Sequence, residues 1–175
     1  KRLTQRLHGG DRVELVGLNV GFDVMDVPGH TEGHIAYVGE GALFCGDTLF
    51  ACGCGRVFSG TFDQLSDSLQ AISQLPADTR CYCAHEYTQA NIGFAKWVEP
   101  QSPDLLTREL RVNQLRAEGL PTVPSTLGDE ILTNPFMRTD DPVVIAAAEG
   151  WIGHPLNSPR EVFKALRTWK DKAYD

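Results

Sequence analysis

Three side chains in this sequence combine metal-binding chemistry with a shared placement. His30 stands three residues after an apolar stretch ending near Val27. Asp47 stands two residues after one ending near Cys45, and His85 two residues after one ending near Cys83. Imidazole nitrogens with a carboxylate suit zinc, iron or manganese. Ligands that follow the ends of parallel strands gather at one rim of a sheet, where α/β folds collect their sites. Each residue also has a plainer reading. A single histidine is more often structural or solvated than a ligand, and Gly46-Asp47-Thr48 has the composition of a turn whose Asp caps nearby amides. Taken together, the three favour ligation.

The elements that must position them are legible in the periodicity. Val13–Val16 and Val20–Val27 alternate apolar and polar residues, the pattern of half-buried strands. Ile35–Val38 and Ala42–Cys45 flank Gly39-Glu40-Gly41, a hairpin signal. A glycine-rich loop, Gly53-Cys54-Gly55, follows. Thr61 with Gln64 then forms a capping box, opening a helix with Leu65, Leu69, Ile72 and Leu75 on one face. Pro76 ends it, and Arg80–Cys83 reads as a further strand, completing a βαβ unit. From Tyr87 onward the reading contains no strand. Helices are expected over Thr88–Val98, from Ser102-Pro103 to Gly119, from Asp141-Pro142, and from Ser158-Pro159 with Val162, Phe163, Leu166 and Trp169 buried. Pro121–Pro135 is expected as extended loop.

Composition bounds the function. The chain has 175 residues, 42% hydrophobic and 22% charged, so a packed core rather than disorder is expected. A net charge of −7 argues against a general nucleic-acid binder, which needs clustered Lys and Arg. No apolar run approaches the ~20 residues that cross a bilayer, so no membrane partner is expected. All five cysteines lie between Cys45 and Cys83. Cys52/Cys54 and Cys81/Cys83 are too closely spaced for a disulfide framework or a zinc finger. Reduced thiols in a reducing compartment, the cytoplasm with mitochondria as the alternative, are the expectation.

Three segments carry a family resemblance: Val27-Pro28-Gly29-His30-Thr31-Glu32-Gly33-His34, Phe44-Cys45-Gly46-Asp47-Thr48-Leu49-Phe50 and Cys83-Ala84-His85-Glu86-Tyr87-Thr88. In order and spacing they resemble the later metal motifs of metallo-β-lactamase-fold hydrolases. Four further segments narrow the likeness to hydroxyacylglutathione hydrolases, the glyoxalase II family. These are Ala51-Cys52-Gly53-Cys54-Gly55-Arg56, Thr122-Val123-Pro124-Ser125-Thr126, Asn134-Pro135-Phe136-Met137-Arg138 and Arg167-Thr168-Trp169-Lys170-Asp171.

The resemblance implies the second half of an αββα sandwich over residues 1–86, followed by a helical substrate-binding domain over 87–175. It implies two metals, usually zinc and sometimes iron or manganese, with His30 on the first, His85 on the second and Asp47 bridging both. His34 falls outside that ligand set, as a supporting or structural residue. The implied activity is hydrolysis of S-(2-hydroxyacyl)glutathione by metal-activated hydroxide, in methylglyoxal detoxification. Substrate contacts are implied at Arg56, Phe58, Tyr87, Arg167 and Lys170. Arg167 and Lys170 are i, i+3 on the last helix and share a face, and a guanidinium suits a carboxylate; the plainer reading is a solvated charged helix end. Arg56 and Phe58 stand where many relatives carry Lys and Tyr, which keeps the charge and removes one hydroxyl.

One departure is large. The family's first metal motif, T-H-x-H-x-D-H, is absent, and the chain opens on Lys1. The expectation is a C-terminal portion whose missing half of the fold comes from the same or another chain. Two ligands per metal are too few for a tight zinc site, so activity of the 175 residues alone is an open question. The alternatives are a persulfide dioxygenase of the same fold and a non-catalytic, glutathione-binding module.

Overall fold

The computed structural model describes residues 5–174. Six strands form one sheet in the order β1 (Arg12–Leu15), β2 (Val20–Asp26), β3 (Ile35–Gly39), β4 (Ala42–Gly46), β7 (Arg80–Cys83) and β8 (Ser125–Thr126). The first four form an antiparallel meander. β4 then pairs in parallel with β7. Because β3 is antiparallel to both β2 and β4, strands β2, β4 and β7 run the same way, and their carboxyl ends share one rim of the sheet.

The crossover between β4 and β7 is α1 (Phe62–Ile72), the expected βαβ unit. Its Thr61 hydroxyl accepts the Gln64 amide at 3.1 Å while the Gln64 side chain accepts the Thr61 amide at 2.9 Å. Leu65, Leu69 and Ile72 are buried against Leu43 and Cys45 on one face of the sheet. Each such side chain contributes about 1.5–3 kcal/mol over an exposed position. The later helices are α2 (Thr88–Val98), α3 (Pro103–Ala117), α4 (Leu127–Thr133), α5 (Pro142–Ile152) and α6 (Pro159–Trp169). Phe94, Phe136, Val144, Phe163 and Leu166 join the same core. The whole is a mixed α/β fold with a helical C-terminal region.

Two expectations need correction. Residues 121–135 are not all loop: they contain β8, which pairs antiparallel with β7, and the helix α4. The glycine-rich segment contains a small hairpin, β5 (Leu49–Phe50) with β6 (Gly53–Cys54). Both were hidden by shortness, since two-residue strands show no alternation. α4 did leave a signal, as Thr126 caps it by accepting the Asp129 amide at 3.1 Å.

Candidate active site

Sequence separation disappears at the shared rim. His30, Asp47 and His85 line one cavity of about 610 Å³. Backbone bonds stitch their loops together. Ala84 donates to the Gly46 carbonyl at 3.1 Å, Gly55 to Thr48 at 3.2 Å and Phe58 to His30 at 3.0 Å. The Thr48 hydroxyl reaches the Val27 carbonyl at 3.3 Å.

Each donor is aimed by a partner. The His30 Nδ1 lies 2.8 Å from the Arg56 carbonyl oxygen. A carbonyl only accepts, so Nδ1 carries the proton and Nε2 keeps its lone pair, the tautomer a ligand needs. The Asp47 amide donates to His34 Nε2 at 3.1 Å, and His34 Nδ1 lies 3.2 Å from the Thr31 hydroxyl. Burial, and next the neighbouring His30, lower the pKa of His34 and favour the neutral ring that this arrangement requires. His85 Nε2 lies 3.2 Å from Asp47 Oδ1. Its ring stacks on Tyr87 with centroids 4.8 Å apart and planes at 20°, while His30 meets Phe58 edge-on at 4.9 Å.

The donors match a metal in kind: two imidazoles and a carboxylate. In number they fall short. Among the described residues, no group of three or more His, Cys, Asp or Glu side chains is arranged to hold a metal ion.

The other sequence-predicted residues, Arg56, Phe58, Tyr87, Arg167 and Lys170, line the same cavity. Arg167 differs from a solvated helix end. It is only 1% exposed, donates to the Cys54 carbonyl at 3.0 Å and to Asp171 Oδ1 at 3.0 Å, and covers the Phe136 ring. Asp171 also approaches Arg56 Nε at 3.8 Å, so one carboxylate gathers two of the cations. Lys170 is buried, its ammonium 5.5 Å from the Tyr174 ring centre.

Sequence reasoning assigned no role to Asp171, Phe50, Asn91 or Glu86. Asp171 is i+4 from Arg167, a spacing that signals the pair. Phe50 packs on the rings of His85 and Tyr87. Glu86 ties the His85–Tyr87 turn to Thr122, accepting its amide at 2.9 Å and its hydroxyl as well. Burial raises the pKa of that carboxyl, but the bonds from Thr122 and Thr88 outweigh it and hold the carboxyl below its ordinary range.

The chain resembles known proteins in sequence and in overall fold. Residues 86–173 match the family model described as "Hydroxyacylglutathione hydrolase C-terminus", and residues 4–85 match the metallo-beta-lactamase superfamily. The chain is 50% identical over 97% of its length to a hydroxyacylglutathione hydrolase of Nitrosomonas eutropha, covering 66% of that protein. It is 52% identical over 98% of its length to one of Alkalilimnicola ehrlichii, covering 67%, and 53% identical over 93% to one of Halorhodospira halophila, covering 64%. The chain thus spans about two thirds of these relatives. Among solved structures, ETHE1 from Myxococcus xanthus has a TM-score of 0.58 at 22% identity over 97% of this chain and 57% of that one. The BLEG-1 B3 metallo-beta-lactamase has a TM-score of 0.54 at 22% identity over 79% of this chain and 50% of that one. These two likenesses bear on the fold alone. By these family matches and by its identity to these relatives, the chain belongs to the hydroxyacylglutathione hydrolase family, within the metallo-beta-lactamase superfamily.

Proposed function

We propose that the protein carrying this chain hydrolyses S-(2-hydroxyacyl)glutathione, S-D-lactoylglutathione among them, to glutathione and a 2-hydroxy acid. The observation that carries the reading is the convergence of His30, Asp47 and His85 on a cavity also lined by Arg56 and Lys170. Zinc is the proposed metal, two per intact protein, with iron or manganese as substitutes. His30 and His85 would each hold one, and Asp47, with two carboxylate oxygens, would reach both. Further ligands would have to come from outside these three donors, in the same or another chain. A metal pair supplies hydroxide at neutral pH by lowering the pKa of bound water to about 7.

This chain's own residues bind and orient. Glutathione is anionic, and in a chain of net charge −7 the cations at the cavity are what would attract it. Arg56, half exposed at the cavity mouth, offers a forked donor to a substrate carboxylate. Phe58 and Tyr87 flank the two histidines, and their rings exclude water from one side of each imidazole. When the C–S bond of the thioester breaks, glutathione departs as a thiolate, which needs little protonation, so no buried general acid is required.

The test has two readouts in the protein made from its whole reading frame. Loss of thioester absorbance with S-D-lactoylglutathione is expected, without oxygen uptake on glutathione persulfide. Asp47→Ala is expected to lose most of its bound metal by elemental analysis. Oxygen uptake without thioester loss would assign the dioxygenase chemistry instead, and full metal retention in Asp47→Ala would remove Asp47 from the ligand set.

A further inference from the structure

Beneath the cavity lies a buried charged group that the chemistry above does not use. Glu130, on α4, is wholly buried and paired with Arg108 of α3, itself 3% exposed at the side chain. A buried ion pair is weak evidence for stability, because an apolar pair of similar volume often serves as well. Its other bonds are more specific. The second carboxylate oxygen of Glu130 accepts the Cys52 amide at 2.7 Å and the Asn134 side-chain amide at 3.1 Å. Asn134 in turn donates to the Gly53 carbonyl at 2.9 Å, and Asn91 to the Ala51 carbonyl at 3.1 Å.

The object of these bonds is the turn of the β5–β6 hairpin. Cys52 holds a left-handed φ of 60°, a conformation a non-glycine residue keeps only when its surroundings over-determine it. The turn's own strands are two residues each and cannot impose it. Burial pushes the Cys52 thiol up to about 12, and its S–H donates to the Thr133 carbonyl at 3.4 Å. The turn is therefore held from below by side chains of the helical half. It presents two cavity residues. Phe50, on one side, contacts His85 and Tyr87, and Cys54, on the other, supplies the carbonyl that receives Arg167.

We propose that Glu130 is a positioning residue for substrate binding: by holding the Cys52 amide it fixes the hairpin that places Phe50 and the Cys54 carbonyl at the cavity. This rests on the thioesterase reading for its kinetic consequence, but not for its structural one.

Two paired variants separate positioning from mere stability. Arg108→Gln with Glu130→Gln rebuilds a neutral pair in which the new amide oxygen still accepts the Cys52 amide. Arg108→Leu with Glu130→Leu fills the volume and leaves that amide orphaned. In the protein made from its whole reading frame, the Gln pair is expected to keep the parent KM for S-D-lactoylglutathione. The Leu pair is expected to raise KM about tenfold with kcat within about twofold and metal content unchanged. Amide exchange at Cys52, read without substrate, is expected to quicken about tenfold in the Leu pair only. If the Leu pair does not fold, Glu130→Asp, which keeps the charge for Arg108 but withdraws it from the Cys52 amide, gives the same comparison. Equal exchange and equal KM in both pairs, or in Glu130→Asp and the parent, would overturn the proposal. A parent protein without thioesterase activity would refute the proposed function, and exchange at Cys52 would still decide the role of Glu130.

Discussion

Arg167 shows how one residue can be read correctly for place and incompletely for state. Its spacing from Lys170 puts both on one helix face, and both do line the cavity. Spacing could not show that the guanidinium is enclosed. That enclosure comes from Cys54, 113 positions earlier, and from Phe136. Truncation therefore has two consequences. Arg167→Ala removes a cation from the cavity, and it also leaves the buried Cys54 carbonyl without this donor, a loss of about 1–3 kcal/mol. The expected outcome is a raised KM for the glutathione thioester together with a lower denaturant midpoint at unchanged slope. Arg56→Ala, with its side chain 55% exposed, is expected to raise KM with no such shift. An Arg167→Ala protein as stable as its parent would show that the guanidinium serves substrate alone.

Among the elements, most were legible because alternation and helical spacing persist long enough to be seen. β2, β4 and β7 could be drawn from apolar runs, and the rim shared by their ends follows from connectivity. The β5–β6 hairpin, β8 and α4 escaped because each is short and held by distant side chains, such as Asn134 on the Gly53 carbonyl. His30, Asp47 and His85 could be picked out by residue type and place, and His34 as a supporting residue, but not the Arg56 carbonyl beside His30 or the Glu86 carboxylate that ties the His85–Tyr87 turn to Thr122, since such hydrogen bonds between distant segments leave no periodic mark. Among the described glycines, the tightest approach to a backbone atom is at Gly55. A Cβ there would stand 2.0 Å from the Asp47 backbone carbonyl oxygen and 3.1 Å from His30 Nδ1. Backbone cannot yield as a flexible side chain would, so Gly55→Ala is expected to push the Asp47 loop off the rim. Metal content by elemental analysis should fall by more than half, and thermal unfolding should move to lower temperature. Full metal retention in Gly55→Ala would show that the loops can part without disturbing the donors.

At the scale of the molecule, the sheet has two unlike faces. One carries Leu43, Cys45 and Cys81 into the core beneath α1 and α6. The register places Val24, Tyr37, Phe44 and Tyr82 side by side on the other. There Phe44 stacks on Tyr82 with centroids 5.0 Å apart and meets Phe22 edge-on at 5.6 Å. Phe44 is 42% exposed. A contiguous aromatic row on a sheet face is unusual for surface that only meets water. Its ring contacts are worth about 0.5–1.5 kcal/mol per pair, too little to explain the row as a stabilising device alone. For the 175-residue chain studied by itself, this face is expected to bind a hydrophobic fluorescent dye. Phe44→Glu is expected to reduce that fluorescence at least severalfold while far-ultraviolet circular dichroism stays unchanged, because the side chain points away from the packed core. The substitution breaks two ring contacts, so a small loss of thermal stability should accompany it. Undiminished dye binding would place the exposed apolar surface elsewhere, the nearest alternative being Val16 and Leu18 between β1 and β2, which are 90% and 72% exposed.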